Sequence, residues 1–263
     1  MVKKKDLSQH FPVEEKEFVE KMIDICRQVE TTYSHKLTTF INPKQNEIAQ
    51  AIANHFGVTC YSSRFKLQTE LSRLILAPDY YELDSDDFEI SALELIYPRK
   101  FHEIKHAQLL GTLLNQLGIK RQFLGDILVS DEKTVILIDK KFGRIVQNSV
   151  SKVAKVPVKW LEQPWVELDI KNEQDSQTKE VLVSSLRMDK IVSTAFKLSR
   201  TLVASLIESG QVKLDYCDSK QTGKLVGLDQ LISVRRYGRI RIKEIIGYSK
   251  QGKLKLKIEV IRK

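Results

Sequence analysis

The first third of the chain has an apolar pattern that changes from helical to strand-like spacing. Phe18, Met22, Ile25 and Val29 recur at intervals of three or four residues, which predicts a helix over about 13–34. The elements predicted after it are a short strand at Thr38–Ile41, a helix from Pro43 to about His55 that ends at Gly57, and a strand at Val58–Tyr61. These elements predict a small α/β module.

The middle third predicts six elements in the order β-α-β-β-α-β. They are a strand at Phe88–Tyr97, a helix over 103–117, strands at Phe123–Val129 and Thr134–Ile138, a helix over 142–151, and a strand near Val156–Trp160. On the first helix, Ala107, Leu110 and Leu114 are predicted to face the core. This order is typical of a split β-α-β, or ferredoxin-like, sheet. Its central strand lacks aromatic residues, so base stacking on the sheet is not expected.

The last third predicts two short helices and a sheet. The helices span 188–197 and 200–208, and Ser199 and Gly210 are the expected cap and stop of the second helix. Strands are predicted from Val212, at Leu231–Val234, over the IRIKEI stretch and over the KLKLKIEVI stretch. In the last strand, apolar residues alternate with Lys253, Lys255 and Lys257. We interpret these lysines as protecting a sheet edge and aiding solubility.

Two polar segments divide the chain. Residues 169–180 contain one apolar residue, Ile170, and are predicted to be a linker or an exposed loop. A second boundary is predicted at the acidic cluster Asp84-Ser85-Asp86-Asp87. The chain is therefore expected to be an α+β protein of three modules. They are a small N-terminal α/β module (1–84), a ferredoxin-like middle module (85–168) and a C-terminal module (181–263).

Composition and charge exclude some classes of protein and point to a class of partner. No apolar run approaches the roughly 18 residues of a membrane span, and the N-terminal sequence MVKKKDLSQHF does not resemble a secretory signal. Cys26, Cys60 and Cys217 form no disulfide framework, which favours the cytoplasm. Residues 179–263 carry 19 Lys or Arg and 8 Asp or Glu, whereas the other 178 residues carry 24 and 26. The C-terminal module is thus a candidate for binding a polyanion such as RNA, with a basic, merely soluble surface as the alternative.

Arginine dominates the basic residues of this module, and its planar guanidinium suits phosphate and base planes. On the first helix, Arg187, Lys190 and Lys197 share a stripe with Thr194. Arg200 lies in the first turn of the second helix, where free N–H groups already favour an anion. The predicted RNA-binding residues are Arg187, Lys190, Lys197, Ser199, Arg200, Lys213, Arg235, Arg236, Arg239 and Arg241.

About 60 residues of this module resemble the RNA-binding domain first described in ribosomal protein S4. The matching residues are Arg187-Met188-Asp189, Ser199-Arg200, Ala204, Leu206-Ile207, Gly210-Gln211-Val212, Asp229, Ile232-Ser233-Val234-Arg235 and Gly238-Arg239. Two turn positions depart from the pattern, Asp215-Tyr216 in place of Asn-Gly and Leu228 in place of a glycine. The resemblance implies an S4-like C-terminal domain that binds structured ribosomal or transfer RNA.

Further segments along the chain resemble the YlmH family. They are Phe40-Ile41-Asn42-Pro43, Thr69-Glu70-Leu71-Ser72-Arg73, Ala77-Pro78-Asp79-Tyr80, His106 with Leu110-Gly111, Gly118-Ile119-Lys120-Arg121 and Gly125-Asp126-Ile127. Tyr61-Ser62-Ser63-Arg64 departs from the glycine-rich turn of that family. The resemblance implies a cytoplasmic factor that associates with the large ribosomal subunit during rescue of stalled translation.

Local motifs argue against the enzymatic alternatives. The segment His102-Glu103-Ile104-Lys105-His106 has the H-E-x-x-H spacing of a zinc site, but the sequence offers no third ligand in a suitable position. We interpret it as a chance match. The sequence also lacks the motifs of pseudouridine synthases, tyrosyl-tRNA synthetases, methyltransferases and P-loop enzymes.

The sequence therefore predicts a non-enzymatic RNA-binding protein without a cofactor. Its expected partners are structured rRNA and tRNA on the large subunit. Residues 1–168 are expected to contact protein or a second RNA surface. Two alternatives remain open. One is an RNA-modifying enzyme with its site in the first two modules, and the other is an adaptor between ribosomes and cell-division proteins.

Overall fold

The computed structural model describes residue 11, residues 13–170 and residues 176–262. It divides into two compact units, one formed by the described residues up to 170 and one formed by those from 176 onward. The N-terminal sequence 1–10 and part of the predicted linker, 171–175, lie outside the described residues. In the described part of the chain, no helix has the length and apolar character needed to cross a membrane.

The first sheet has three strands and is covered by two helices. Its strands are β1 (Lys36–Leu37), β2 (Thr59–Ser62) and β3 (Leu74–Ala77), and the helices are α1 (Lys16–Thr32) and α2 (Pro43–Phe56). Strand β3 lies at the centre and pairs antiparallel with both neighbours. Asn42 begins α2 with a reciprocal capping box. Gly57 ends the helix in a left-handed conformation, as the sequence predicts.

The second sheet has four strands and two helices on one face. The elements are β4 (Ile90–Ile96), α3 (His106–Gln116), β5 (Leu124–Val129), β6 (Thr134–Asp139), α4 (Lys140–Ser149) and β9 (Lys159–Gln163), with a small hairpin of β7 (Lys152–Val153) and β8 (Val156–Pro157) before β9. The antiparallel order β5-β6-β4-β9 is the split β-α-β arrangement that the sequence predicts.

The two sheets of the first unit pack face to face. One face of β4 and β6 contacts α3 and α4, and the other contributes Ala92, Val135 and Leu137 to a core shared with Ile75 and Ala77 of β3. The unit is therefore built of four layers, helices–sheet–sheet–helices. The division of residues 1–168 into two modules stays a prediction, since the described parts of both modules share this core and lie in one compact unit.

Buried polar contacts join the two sheets. The Arg73 guanidinium, 4% exposed, donates from Nε to the Thr38 carbonyl (2.9 Å) and lies 3.2 Å from the Asp139 carboxylate. The Asp126 carboxylate accepts from the N–H groups of Glu70 (2.6 Å) and Leu71 (3.1 Å), and burial raises its pKa.

Gly125 is needed at the same junction. An added Cβ would lie 2.7 Å from the Phe40 ring, closer than Cβ contacts normally come. The segments around residues 40, 70 and 125, which carry much of the family resemblance, therefore contain residues that join the two sheets of the fold.

The C-terminal unit is a six-stranded antiparallel sheet with two helices. Its elements are β10 (Ser176–Val183), α5 (Met188–Phe196), α6 (Arg200–Glu208), β11 (Val212–Leu214), β12 (Cys217–Asp218), β13 (Leu231–Val234), β14 (Gly238–Tyr248) and β15 (Leu254–Arg262). The order is β10-β15-β14-β13-β11-β12. Ile191 and Val203 from the helices share a core with Ile240, Ile258 and Val260 from the sheet, so the helices cover one face.

The turn between β11 and β12 has the shape of an Asn-Gly hairpin although it lacks that sequence. Asp215 and Tyr216 both have positive φ angles, 47° and 71°, as a type I′ turn requires. The Asp215 carboxylate accepts from the Leu231 N–H (2.8 Å) and from the Gln230 side chain (2.6 Å), which fixes the turn against β13. The departure from the S4-like pattern at this position therefore leaves a two-residue hairpin.

Several predicted boundaries were wrong. The strand predicted at Thr38–Ile41 lies earlier, as β1 (Lys36–Leu37). The segment after it still pairs in part with the β3 side, since the Thr38 N–H donates to the Leu74 carbonyl (2.9 Å) and Ile41 forms an isolated bridge with Ser72, but the Phe40 N–H turns to the Gln122 carbonyl (3.0 Å) and interrupts the ladder. On α3, Leu109 and Leu113 are fully buried, whereas Ala107, predicted to face the core, is exposed. The final strand of the second sheet begins at Lys159 because the chain from 152 forms the β7–β8 hairpin first.

Two of the longer strands were missed, besides the two-residue strands β7 and β12. Strand β3 was not predicted at all, although its four residues are buried. Residues 176–180, predicted to be linker, are the start of β10, which pairs along its length with β15. Its backbone hydrogen bonds do not depend on apolar side chains, and only Val181 and Val183 of this strand pack against the core.

Candidate nucleic-acid interface

The connection between α5 and α6 is held by local hydrogen bonds. Lys197 ends α5 in a left-handed conformation (φ 55°), and the Ser193 hydroxyl donates to the Leu198 carbonyl (2.6 Å). The Ser199 hydroxyl accepts from the Leu202 N–H (3.3 Å), which caps α6 as the sequence predicts. This turn fixes the start of α6 and places Arg200 in its first turn.

A pocket of about 170 Å³ lies between the helices and the sheet end. Lys190 and Arg200 reach it from the two helices, and Lys253 reaches it from the β14–β15 connection. Its other lining residues are Leu182, Val183, Ser184, Ser193 and Thr194. No carboxylate lines the pocket, and none of the three cations forms an ion pair within the described residues. We call it the helix-side pocket. Three unpaired cations and hydroxyl groups are suited to a phosphate.

Arg187 has a structural partner. Its Nε and Nη2 atoms both lie 3.0 Å from the Asp189 carboxylate, and this ion pair raises the pKa of the guanidinium. The guanidinium also lies over Gly223, and the Arg187 backbone bridges to Leu225. Arg187 thus fastens the start of α5 to the loop before β13, which leaves it fewer free donors for RNA than the stripe pattern predicts.

Lys213, Arg239 and Arg241 lie on the opposite face of the sheet. Each alternates with residues of the core that the helices cover, so their side chains point away from α5 and α6. Lys213 lies 3.2 Å from Asp218, and Arg241 stands opposite Glu259 on β15.

The guanidinium of Arg241 is partly buried in this face. Its Nε atom is buried and has no hydrogen-bond partner among the described residues. The acidic neighbours of this face give it a mixed charge, which contrasts with the lining of the helix-side pocket.

Arg235 and Arg236 lie in the exposed turn between β13 and β14. Arg236 has a positive φ angle of 73°. The ring of Tyr237, the next residue, lies 6.0 Å from that of Phe196 at the end of α5. The turn is therefore near Lys197, on the side of the unit that carries the helices.

The single basic cluster that the sequence predicts is thus divided between two faces. Lys190 and Arg200 line one pocket, and Lys197 and Ser199 lie on the turn that supports it. Lys213, Arg239 and Arg241 face the other way. Lys253 was not included in the predicted RNA-binding residues. It lies far from Arg200 along the chain, and only the pairing of β14 with β15 brings it to the pocket.

The H-E-x-x-H segment does not form a helical zinc face. Helix α3 begins only at His106, so His102 and Glu103 precede it. Within the described residues, no group of three or more His, Cys, Asp or Glu side chains is arranged to hold a metal ion. Burial raises the pKa of the Cys26 and Cys60 thiols to about 12, so neither is a ready nucleophile near neutral pH.

Comparisons with known proteins agree with the residue pattern. A family model described as "YlmH, N-terminal" matches residues 14–81, and one described as "Putative RNA-binding domain in YlmH" matches residues 84–167. Over 254 residues the chain is 28% identical to "Ribosome-associated protein quality control protein P2" of Bacillus subtilis (strain 168), covering 97% of this chain and 98% of that protein.

A solved structure, "Cell division protein ylmH from Streptococcus pneumoniae", is similar in fold and sequence. It superposes with a TM-score of 0.54 at 40% identity, and the match covers 60% of this chain and 96% of that one. With the two family models and the full-length relative, this match establishes the family that the sequence pattern indicated. The chain belongs to the YlmH family.

Proposed function

We propose that this protein is a cytoplasmic, non-enzymatic RNA-binding factor in ribosome-associated quality control of stalled translation. Its C-terminal unit grips structured RNA, rRNA together with tRNA, on the large ribosomal subunit. The name of the Bacillus subtilis relative supports a role at the ribosome, and the family model over residues 84–167 supports RNA binding.

The observation that carries the proposal is the helix-side pocket. Lys190, Arg200 and Lys253 surround a small space without a carboxylate, beside the start of α6. A phosphate of the RNA backbone fits this chemistry because the three cations offset its negative charge and the hydroxyls of Ser184 and Thr194 can donate to its oxygens. Such contacts give affinity and position, while RNA shape gives specificity.

The likeness to the S4 RNA-binding domain supports the same face. The motif residues Ser199 and Arg200 occupy a helix start beside the pocket, and the β11–β12 hairpin keeps a two-residue turn despite its unusual sequence. Arg235 and Arg236 extend the positive surface from the β13–β14 turn. In this proposal Lys213, Arg239 and Arg241 are secondary contacts, because they lie on the opposite face of the sheet.

The proposal is tested by sedimentation of the full chain with purified large ribosomal subunits. Arg200→Glu reverses a charge in the pocket, and Lys257→Glu makes the same change on the face that points away from the helices. We expect wild type and Lys257→Glu to sediment with the subunits and Arg200→Glu to stay at the top. Equal sedimentation of both variants, each folded by circular dichroism, would place the anchor elsewhere.

A second candidate function is an adaptor between ribosomes and division proteins, acting through residues 1–168. The observation that favours it is the similarity to the Streptococcus pneumoniae relative, which is named as a cell division protein. This function predicts that a division protein is recovered with Arg200→Glu as well as with wild type. If the division protein were recovered with wild type but lost with Arg200→Glu, its recovery would depend on ribosome binding, and only the first proposal would be supported.

A further inference from the structure

The two central strands of the second sheet, β4 and β6, are not available to bind RNA. One face of β4 and β6 is covered by α3 and α4, and the other is packed against the three-stranded sheet. All six residues of β6, the strand that would carry stacking aromatics, are buried. An RNA surface within residues 84–167 must therefore lie outside these two central strands.

The outer side of α3 forms an open groove with the β7–β8 hairpin. The groove has a volume of about 530 Å³, within the range of small-ligand sites. Its polar lining consists of Gln108, Thr112, Asn115, Gln116, Ser151 and Lys152. The helical residues recur at i, i+4, i+7 and i+8, so they form one stripe on α3. Amides and hydroxyls dominate this lining, one lysine gives it positive charge, and no carboxylate is part of it.

Gly111 lies in the same groove and has no structural explanation in the fold. It is inside α3, where glycine is less favourable than alanine. Its φ angle is not positive, and a Cβ built on it would meet no atom within 4 Å. Neither backbone conformation nor packing therefore requires glycine here. A bare helix backbone at this point does let a ligand approach closely.

We propose that this α3 groove binds a single-stranded segment of RNA, with Gly111 giving a base or ribose access to the helix backbone. The Gln108 Oε1 atom already accepts from the Lys105 N–H (2.9 Å), so Gln108 contacts a base edge through its amide NH2 group. The Asn115 amide contacts a second base edge, and Lys152 contacts a phosphate. RNA is favoured over a peptide because the family model over this region describes RNA binding and because the lining is positive. The inference rests on the proposed function in that it gives the first unit an RNA contact separate from the helix-side pocket.

The test measures binding of a short fluorescein-labelled oligouridylate to the full chain by fluorescence anisotropy. Gly111→Leu fills the groove floor, and Asn115→Leu removes one amide. Asn148→Leu is the matched control, because Asn148 is an exposed amide on α4 outside the groove. We expect Gly111→Leu to weaken binding about tenfold or more, as overpacked contacts do. Asn115→Leu should weaken it about fivefold, as the loss of a neutral hydrogen bond does. Asn148→Leu should bind like wild type.

A second readout locates the contact. The same RNA carrying 4-thiouridine is crosslinked by light, and the crosslinked peptides are identified by mass spectrometry. We expect peptides from α3 or the β7–β8 hairpin, and their loss in Gly111→Leu. The proposal is overturned if wild type does not bind the RNA, if groove variants bind normally, or if a protein occupies the groove in the ribosomal complex.

The two proposals fail separately. Groove variants should still sediment with large subunits through the C-terminal unit, so oligouridylate binding can be lost while sedimentation persists. Conversely, Arg200→Glu should abolish sedimentation and leave crosslinks at α3 intact.

Discussion

Two arginines show how differently the two units use charge. Arg73 in the first unit is buried, and its guanidinium binds the Thr38 and Glu89 carbonyls and the Asp139 carboxylate. Arg200 in the C-terminal unit is exposed and has no acidic partner within the described residues. A buried and fully paired cation holds the fold together, whereas an unpaired cation in a pocket is available to a ligand.

The sequence motifs also divide into those that hold the fold together and those that lie at the candidate site. The segments around residues 40, 70 and 125 resemble the YlmH family and join two sheets, whereas the segment around residue 199 resembles the S4 domain and lies beside a pocket. Similarity to a family therefore does not by itself distinguish a residue of the fold from a residue of the site. Burial and the presence of a partner make that distinction here.

The largest expected effect is the loss of the buried ion pair. Arg73→Leu leaves the Asp139 carboxylate buried without this partner, and we expect the free energy of unfolding to fall by about 3–5 kcal/mol. Urea denaturation followed by circular dichroism measures this change. Lys44→Ala, which breaks an exposed pair with Glu47 (3.1 Å), should cost less than about 1 kcal/mol. If both variants lost a similar free energy of unfolding, buried and exposed charges would not differ in the way we propose.

The next effect compares two glycines of the first unit. Gly125→Ala places a Cβ against the Phe40 ring and should destabilise the protein by about 1–3 kcal/mol. Gly111→Ala meets open space inside a helix and should stabilise it by up to about 1 kcal/mol. Thermal unfolding of the two variants checks the opposite signs. Destabilisation by Gly111→Ala would mean that this glycine has a structural role after all.

The smallest expected effect is a difference in large-subunit binding between substitutions of two lysines, Lys253 just before β15 and Lys257 within it. Lys253→Ala removes a cation of the helix-side pocket and should weaken binding to large subunits about tenfold, as a charged hydrogen bond does. It should also reduce the slope of log K against log salt by about 1. Lys257→Ala, on the other face, should change the dissociation constant less than about twofold. Filter binding across a salt series measures the dissociation constant and the salt slope of both variants. Equal effects of the two substitutions would indicate that the lysines act only through general electrostatic attraction to RNA.

Local signals explain how much of the fold could be predicted. The helices α5 and α6, the cap Ser199 and the stop Gly57 follow from residues next to each other in the sequence, and the structure has them at or within a residue of the predicted positions. Strand β3 was missed because a four-residue buried run has no alternation to distinguish it. Strand β10 was missed because its backbone pairing with β15 leaves little trace in composition.

The candidate site was only partly predictable for the same reason. Lys190 and Arg200 were found because helical spacing and a helix start are local features. Lys253 was interpreted as protecting a sheet edge, which was wrong because β15 pairs with β10 on one side and β14 on the other. Alternation along β15 does not show that the residue before the strand reaches the helices. Arg239 and Arg241 alternate in the sequence with Ile240 and Ile242, which places the arginines on the face away from the helices. Grouping them with Lys190 and Arg200 in one cluster was therefore wrong.

The most direct test of the central claim is cryo-electron microscopy of the full chain bound to large ribosomal subunits. We expect an RNA phosphate within hydrogen-bonding distance of Lys190, Arg200 and Lys253. RNA lying instead across Lys213, Arg239 and Arg241, with the helix-side pocket facing solvent, would contradict it.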